Sequence, residues 1–291
     1  MLTLSSSRDR LESSASPSVA VALGGGGARG IAHIAVLEAI DELGLKPVAL
    51  SGTSIGAIVG AAYSAGIEAK HLRAHALAIV RNHADVMGKL LRARVGRFAD
   101  LIFGGLVNPV LLDAEVFLDF FWPELVPDRF EELAIPFQAV ATDFHHRREA
   151  IFSSGPLAPA VAGSMAIPGL IRPVELNESV LVDGGAVNPL PYDLLFDRAD
   201  IVMAVDVTFG GPPGRKNPRP LDAMFGAAQI MQGAITAQKL KVRPPDILIR
   251  PPVQQFRVLE FFRAAHILRA CDAAKEDFKR TLGDIIEARL K

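Results

Sequence analysis

The sequence predicts an α/β fold with a central, mostly parallel sheet flanked by helices, and three observations carry that reading. Half of the 291 residues are hydrophobic, enough to bury a sizeable core. An apolar run from Val19 to Leu23 is stopped at once by four glycines, Gly24 to Gly27, and then apolar positions recur at helical spacing. The rhythm repeats immediately: a strand near Val48 to Leu50, a tight glycine turn, and an Ala-rich helix. Strand, loop, helix, strand, turn, helix is how a parallel sheet is written.

Taken in order, Met1 to Pro17 is Ser-rich and holds Arg8, Asp9, Arg10 and Glu12 with no apolar segment. It reads as a flexible tail rather than a secretory signal. Residues 18–291 then read as a single domain. Its first helix spans Arg29 to Leu43, with Ile31, Ile34, Ala35, Leu37 and Ile40 on one side and Gly44 ending it. The second runs from Ile55 towards Ala65-Gly66. Glu68 to Glu132 is mostly helical by pattern, broken at Gly104-Gly105, Pro109, Pro123 and Pro127. Further strands are expected at Phe137 to Ala141, Ser179 to Val182, Ile201 to Val207 and Ile247 to Ile249. Gly210 to Pro220, with four prolines, reads as a loop. Helices are expected from Leu221 to Leu240 and from Phe256 to Leu290, so residues 221–291 close the domain behind the motif-bearing part, 19–207.

Charge and composition exclude several functions. Lys and Arg total 31 against 32 Asp and Glu, so there is no basic footprint for nucleic acid. A single cysteine, Cys271, allows no intramolecular disulfide and no Cys-based zinc cluster. The seven histidines are scattered or adjacent, and His71 and His75 have no carboxylate partner, so no metal site is expected. These features fit a soluble protein of a reduced, cytoplasmic setting. One stretch pulls the other way. Between Lys46 and Glu68 nothing is charged, and Gly52, Gly56 and Gly60 have the spacing of packed membrane helices. The competing reading is a buried strand, a turn and a buried helix, which no bilayer span would tolerate at its midpoint.

The first glycine loop, Gly25-x-Gly27-x-x-Gly30, matches a dinucleotide fingerprint only superficially. Gly30 is followed by Ile31-Ala32, not the Lys-Ser/Thr of a phosphate loop, and the next strand ends without the acidic residue that holds a ribose. Consecutive glycines before a helix also let backbone N–H groups converge on an oxyanion. Arg29, a cation in the first turn, is either a structural ion-pair partner or an aid to that anion.

Gly52-Thr53-Ser54-Ile55-Gly56 is G-x-S-x-G between strand and helix, the setting of a nucleophile elbow, although a serine there also suits a helix N-cap. A serine nucleophile needs a base. Among later histidines only His266 follows a plausible acid, and it sits inside a helical pattern. Asp183 ends the apolar strand Ser179 to Val182, precedes Gly184-Gly185, and is placed to accept the serine proton directly; its plainer reading is a turn aspartate. Asp143 and Asp206 also end strands but lack that glycine context and are read as structural.

The ordered set Gly25-Gly26-Gly27-Ala28-Arg29-Gly30, Gly52-Thr53-Ser54-Ile55-Gly56 and Asp183-Gly184-Gly185 resembles the patatin-like phospholipase family. Ala141-Thr142-Asp143, Ala166-Ile167-Pro168-Gly169, Arg172-Pro173-Val174 and Asn188-Pro189-Leu190-Pro191 extend the resemblance. It implies a three-layer sandwich of the patatin type and a Ser54–Asp183 dyad without histidine. It also implies hydrolysis of fatty-acyl esters, phospholipids or lysophospholipids, with neither metal nor cofactor. Gly163-Ser164 and Leu170-Ile171 depart from the family pattern beside the expected acyl pocket. An acyltransferase using the same dyad and a non-catalytic lipid-binding protein remain as alternatives. Val86 to Leu106 places Met87, Leu90, Leu91, Phe98, Leu101 and Ile102 at helical spacing among Arg92, Arg94 and Arg97. That stripe reads either as a helix packed on the core or as peripheral contact with the inner face of a membrane.

Overall fold

The computed structural model describes residues 17–82, 94–95, 111–119, 121–211 and 220–290. In chain order the strands are β1 (Val19–Leu23), β2 (Ala49–Thr53), β3 (Arg94–Val95), β4 (Leu111–Leu112), β5 (Phe137–Asp143), β6 (Arg148–Phe152), β7 (Val174–Leu176), β8 (Ser179–Asp183), β9 (Ile201–Val205) and β10 (Ile247–Ile249). The α-helices are α1 (Ala32–Glu42), α2 (Ile55–Ser64), α3 (Ala69–Arg81), α4 (Ala114–Asp119), α5 (Leu157–Ser164), α6 (Pro220–Val242), α7 (Ala264–Asp272) and α8 (Lys275–Leu290).

One sheet, in the order β10-β9-β1-β2-β5-β8-β7 with β6 also on β5, organises the chain. From β10 to β5 every pairing is parallel; β6 and β8 pair antiparallel with β5, and β7 antiparallel with β8. β1, β2 and β9 are buried along their whole length, as parallel strands covered on both faces are. The period of two sorts β1 cleanly. Val19, Val21 and Leu23 join the larger core with α1, α2, α5, α7 and α8. Ala20 and Ala22 face a thinner layer of Leu190, Tyr192, Leu195 and the C-terminal part of α6. Alanine on that side lets a short irregular segment lie close to the sheet.

The uncharged stretch divides as its bland reading requires. β2 takes Ala49–Thr53, Ser54 turns the chain, and α2 occupies Ile55–Ser64. The glycine spacing serves close approach inside the protein: a Cβ on Gly56 would strike the Leu23 carbonyl, and one on Gly60 would come within 2.7 Å of the Phe137 ring. Among the described residues no helix is long and apolar enough to cross a membrane.

Several expectations shift. β2 continues through Gly52 and Thr53, so the first two residues of the elbow motif are strand. A 3-10 turn, Gly27–Ile31, precedes α1, which begins at Ala32. β9 stops at Val205, two residues early, because Asp206 turns the chain by accepting from Thr208. Phe256 to Glu260 is irregular, and the helices after it start at Ala264 and Lys275. β6 and β7 were not expected. Their turns carry positive φ at Arg147, Asn177 and Glu178 rather than glycine, so the sequence lacks the usual hairpin marker. Of the amphipathic stretch Val86 to Leu106, Arg94 and Val95 form a two-residue strand with β4, and the rest lies outside the described residues. The Ser-rich start up to residue 16 also lies outside them.

Gly56→Ala places a methyl against the Leu23 carbonyl and should lower unfolding free energy by about 1–3 kcal/mol. A thermal melt checks this, and an unchanged Tm contradicts the tight α2–β1 contact.

Candidate active site

The elbow is built from its backbone. Ser54 has φ 57° and ψ −123°, a conformation L-residues rarely adopt. Gly52 and Gly56 leave the room it needs, since a Cβ on either would run into backbone. Two hydroxyls brace the turn from beneath. The Ser54 N–H donates to Ser164 Oγ (2.9 Å), which donates in turn to the Val140 carbonyl (2.5 Å). Thr53 Oγ1 donates to the Asn188 carbonyl at 2.7 Å. Ser54 makes no side-chain cap bond to α2, so the N-cap alternative is not what its hydroxyl does.

That hydroxyl donates to Asp183 Oδ2 at 2.6 Å. The other carboxylate oxygen, Oδ1, accepts the Gly185 N–H at 2.7 Å, and the Asp183 carbonyl accepts from Thr142 Oγ1 at 2.9 Å. Asp183 is therefore also the turn aspartate of its plainer reading, one oxygen serving each purpose. Burial pushes its carboxyl up to about 6, against the opposing pull of the Ser54 and Gly185 bonds. Gly184 lies so close to the Val140 carbonyl that a Cβ there would collide with it.

The route by which Asp183 arrives differs from expectation. β8 runs against β5, so Asp183 ends an antiparallel strand, not one of the parallel block. Thr53 is level with Val140 in the β2–β5 register, and Asp183 is level with Ala141. β6 pairs with residues 139–143 along one edge of β5, so β2 and β8 follow each other along the opposite edge, and Ser54 and Asp183 meet where the two strands end.

The glycine loop lies beside Ser54, with a Cβ on Gly25 meeting Ser54 Cβ at 3.5 Å. Of the six loop residues, Gly25 gives its N–H to the Pro189 carbonyl (2.9 Å) and Ala28 to the Val258 carbonyl (2.7 Å). Gly26 and Gly27, both at positive φ, are left with N–H groups that meet no acceptor among the described residues. Gly30 supports the elbow sterically: a Cβ there would overlap the Ile55 side chain. Arg29 lies near the Asp206 carboxylate, which offsets part of the cost of burying its charge. Its buried guanidinium donates to the Gly210 carbonyl (2.7 Å) and Gln229 Oε1 (3.2 Å), strapping α6 and the segment after β9 to the loop.

Three contributors escaped sequence reasoning. Ser164 was expected beside the acyl pocket, whereas it is fully buried beneath the elbow. His33 is also fully buried, with Nε2 2.8 Å from the Gly24 carbonyl; burial lowers its pKa to about 4, so a neutral ring pins the loop's first carbonyl. α6 walls a cavity of about 490 Å³ that opens on Ser54 and Asp183, with Phe225, Ala228, Ile235 and Gln232 facing it and Ile167 and Val258 opposite. Its composition hid this role, because α6 mixes glycine, glutamine and methionine without a clean apolar stripe. Leu170 and Ile171 do lie near Ser54, lining a smaller apolar cleft with Phe117.

The remaining candidates are occupied elsewhere. Asp143 binds His146 and Ser179, Asp206 binds Thr208 and Arg250, and His266 is exposed on α7. Among the described residues no histidine hydrogen-bonds Ser54 or Asp183, and no group of three or more His, Cys, Asp or Glu is placed to hold a metal.

An uncharacterized NTE family protein of Mycobacterium tuberculosis is 37% identical over 199 residues, covering 68% of this chain and 51% of its own. The lysophospholipases NTE1 of Kluyveromyces lactis and Saccharomyces cerevisiae are each 27% identical, covering 91% and 86% of this chain but 19% and 16% of theirs. The chain thus spans about half the length of the mycobacterial relative and less of the yeast ones. Among solved structures, VipD from Legionella pneumophila superposes with a TM-score of 0.50 at 13% identity, covering 91% of this chain and 67% of that one, a likeness of fold. The family model of patatin-like phospholipases matches residues 21–196, well over half of the sequence, and the chain belongs to that family.

Proposed function

We propose that the protein is a serine hydrolase of fatty-acyl esters, acting on phospholipids or lysophospholipids through a Ser54–Asp183 dyad. The observation that carries this reading is the buried 2.6 Å bond from Ser54 Oγ to Asp183 Oδ2 at the mouth of the 490 Å³ cavity. The lysophospholipase names of the yeast relatives support the substrate class.

The chemistry is double displacement. Asp183 accepts the Ser54 proton as Oγ attacks the ester carbonyl, and the carbonyl π electrons move onto oxygen. The N–H groups of Gly26 and Gly27 face that oxyanion. Preorganised donors matter most here, since losing one typically costs about 3–4 kcal/mol in the transition state. The intermediate collapses, the alcohol leaves with the proton from Asp183, and an acyl-Ser54 ester remains. Water then attacks, giving its proton to Asp183; the fatty acid leaves and Ser54 recovers its proton. A histidine is unnecessary because burial has already raised the carboxylate's basicity.

Ser54→Ala should abolish ester hydrolysis and fluorophosphonate labelling while leaving the circular dichroism spectrum intact. Undiminished turnover by that variant would falsify the dyad. Asp183→Asn should lower kcat by about 10²–10⁴-fold.

The raised carboxyl has two pH signatures. The base form of Asp183 predominates above about pH 6, so kcat/KM should climb roughly tenfold per pH unit below that point and level off above it. Folding runs the other way. The unfolded carboxyl ionises near its ordinary value of 3.8, so stability is lost as pH rises from there through about 6. Asp183→Asn should therefore be more stable than the wild type by about 1–3 kcal/mol at pH 8, with the gain shrinking towards pH 4. Urea melts at the two pH values check this; a gain of equal size at both contradicts a buried, costly carboxylate.

A further inference from the structure

Beyond the edge of the catalytic cavity lies a second, more open pocket of about 500 Å³. The two share Pro168 and Ala186 as a common wall. The far side of the second pocket is the β5–β6 turn, which contributes Phe144, His145 and Arg147. Register fixes its distance from the nucleophile. Ser54 follows the Thr53–Val140 pair, whereas β5 runs on to Asp143 before it turns. At ~3.3 Å per residue the turn stands roughly 10 Å beyond Ser54 along the strand direction. That is the reach from the acyl carbonyl of a glycerolipid to its headgroup.

The turn is held rigidly. Asp143 accepts the His146 N–H at 3.1 Å, meets His146 Nδ1 at 2.8 Å and accepts from Ser179 Oγ at 2.8 Å. The Phe144 N–H donates to the Val180 carbonyl at 2.9 Å. Asp143 and His146 thus satisfy each other, and two basic side chains remain. Arg147 and His145 make no hydrogen bond or ion pair with any described residue; His145 only meets the Phe144 ring edge-on at 5.4 Å. Arg147 also sits at φ 54°, a left-handed conformation that glycine or asparagine adopts more easily. An exposed guanidinium without a protein partner, in a turn held beside a lipid-ester site, is available to a ligand, and the fork of an arginine matches phosphate oxygens.

We propose that this pocket is a subsite for a phosphate group carried by the lipid substrate, held by Arg147 with an N–H from His145 beside it, while the acyl chain fills the neighbouring cavity. The assignment rests on the hydrolase reading above and adds a polar specificity element to it. Thr142, Val182 and Val187 form the floor, so the phosphate finds few competing acceptors there.

Two substrates differing only in the phosphate test it: 1-oleoyl-lysophosphatidic acid and 1-oleoylglycerol, assayed below their micellar concentrations. The ratio of their kcat/KM values should fall about tenfold in Arg147→Asn, which suits the left-handed backbone, and further in Arg147→Glu. The loss should appear in KM, and Arg147→Lys should restore most of the ratio. Glycerol 3-phosphate should compete with the phosphate-bearing substrate in the wild type and fail to do so in Arg147→Asn, with potassium chloride as the ionic-strength control. If the ratio is the same in wild type and all three variants, the subsite is overturned. Inhibition by inorganic phosphate as strong as by glycerol 3-phosphate, without discrimination between the oleoyl substrates, overturns the headgroup assignment too. p-Nitrophenyl butyrate, which has no headgroup, separates the two readings. Its hydrolysis without phosphate preference removes the subsite alone, whereas failure on all three esters removes the hydrolase reading and the subsite with it.

Discussion

A hydrogen bond between a buried serine and a buried carboxylate makes demands on everything around it. An isolated buried carboxylate is expensive, and Asp183 lowers that expense with only two donors, Ser54 and the Gly185 N–H. Both must therefore be held at bonding distance without relying on solvent. Ser164 and Thr53 fix the elbow, Thr142 fixes the backbone of Asp183, and the Asn188 carbonyl ties the two halves together. Asn188 is itself held by Lys239 at 2.5 Å and Glu149 at 2.7 Å, so the helix that walls the cavity is joined to the same network. The dyad is the centre of a polar lattice set in an otherwise apolar core.

The sheet explains how two distant segments meet. The parallel block carries the nucleophile and the glycine loop on adjacent strand ends, β2 and β1, with α2 and the 3-10 turn packed through Ile55 on Gly30. The aspartate comes from antiparallel β8, which takes up the edge of β5 where β2 leaves it.

Much of this was legible in the sequence because it depends on local rules. Glycines forced by backbone approach at 52 and 56, strands with uniform β-branched or alanine composition, and Gly44 ending α1 each announce themselves over a few residues. What stayed hidden depends on distant partners. Nothing near Ser164 says that its hydroxyl will lie under position 54, more than a hundred residues earlier in the chain. Which loop N–H groups stay unpaired is settled by Pro189 and Val258, both remote in sequence, and Arg29 finds its acceptors on α6 and at Gly210 for the same reason. The direction of β8 was equally silent, since a five-residue apolar strand reads the same in either orientation, and β6 and β7 turn without the glycines that normally mark hairpins.

The change of direction at β5 has an evolutionary consequence. Parallel neighbours need long crossovers, and their ends are bound to the chemistry; antiparallel neighbours need only turns. The turns after β5 and β7 hang from the edge of the sheet, outside the pairs that align Gly52 with Ala139. Insertions or deletions there remodel the entrance and leave the catalytic register alone. That freedom belongs to the turns alone, because β8 on the same margin ends in Asp183.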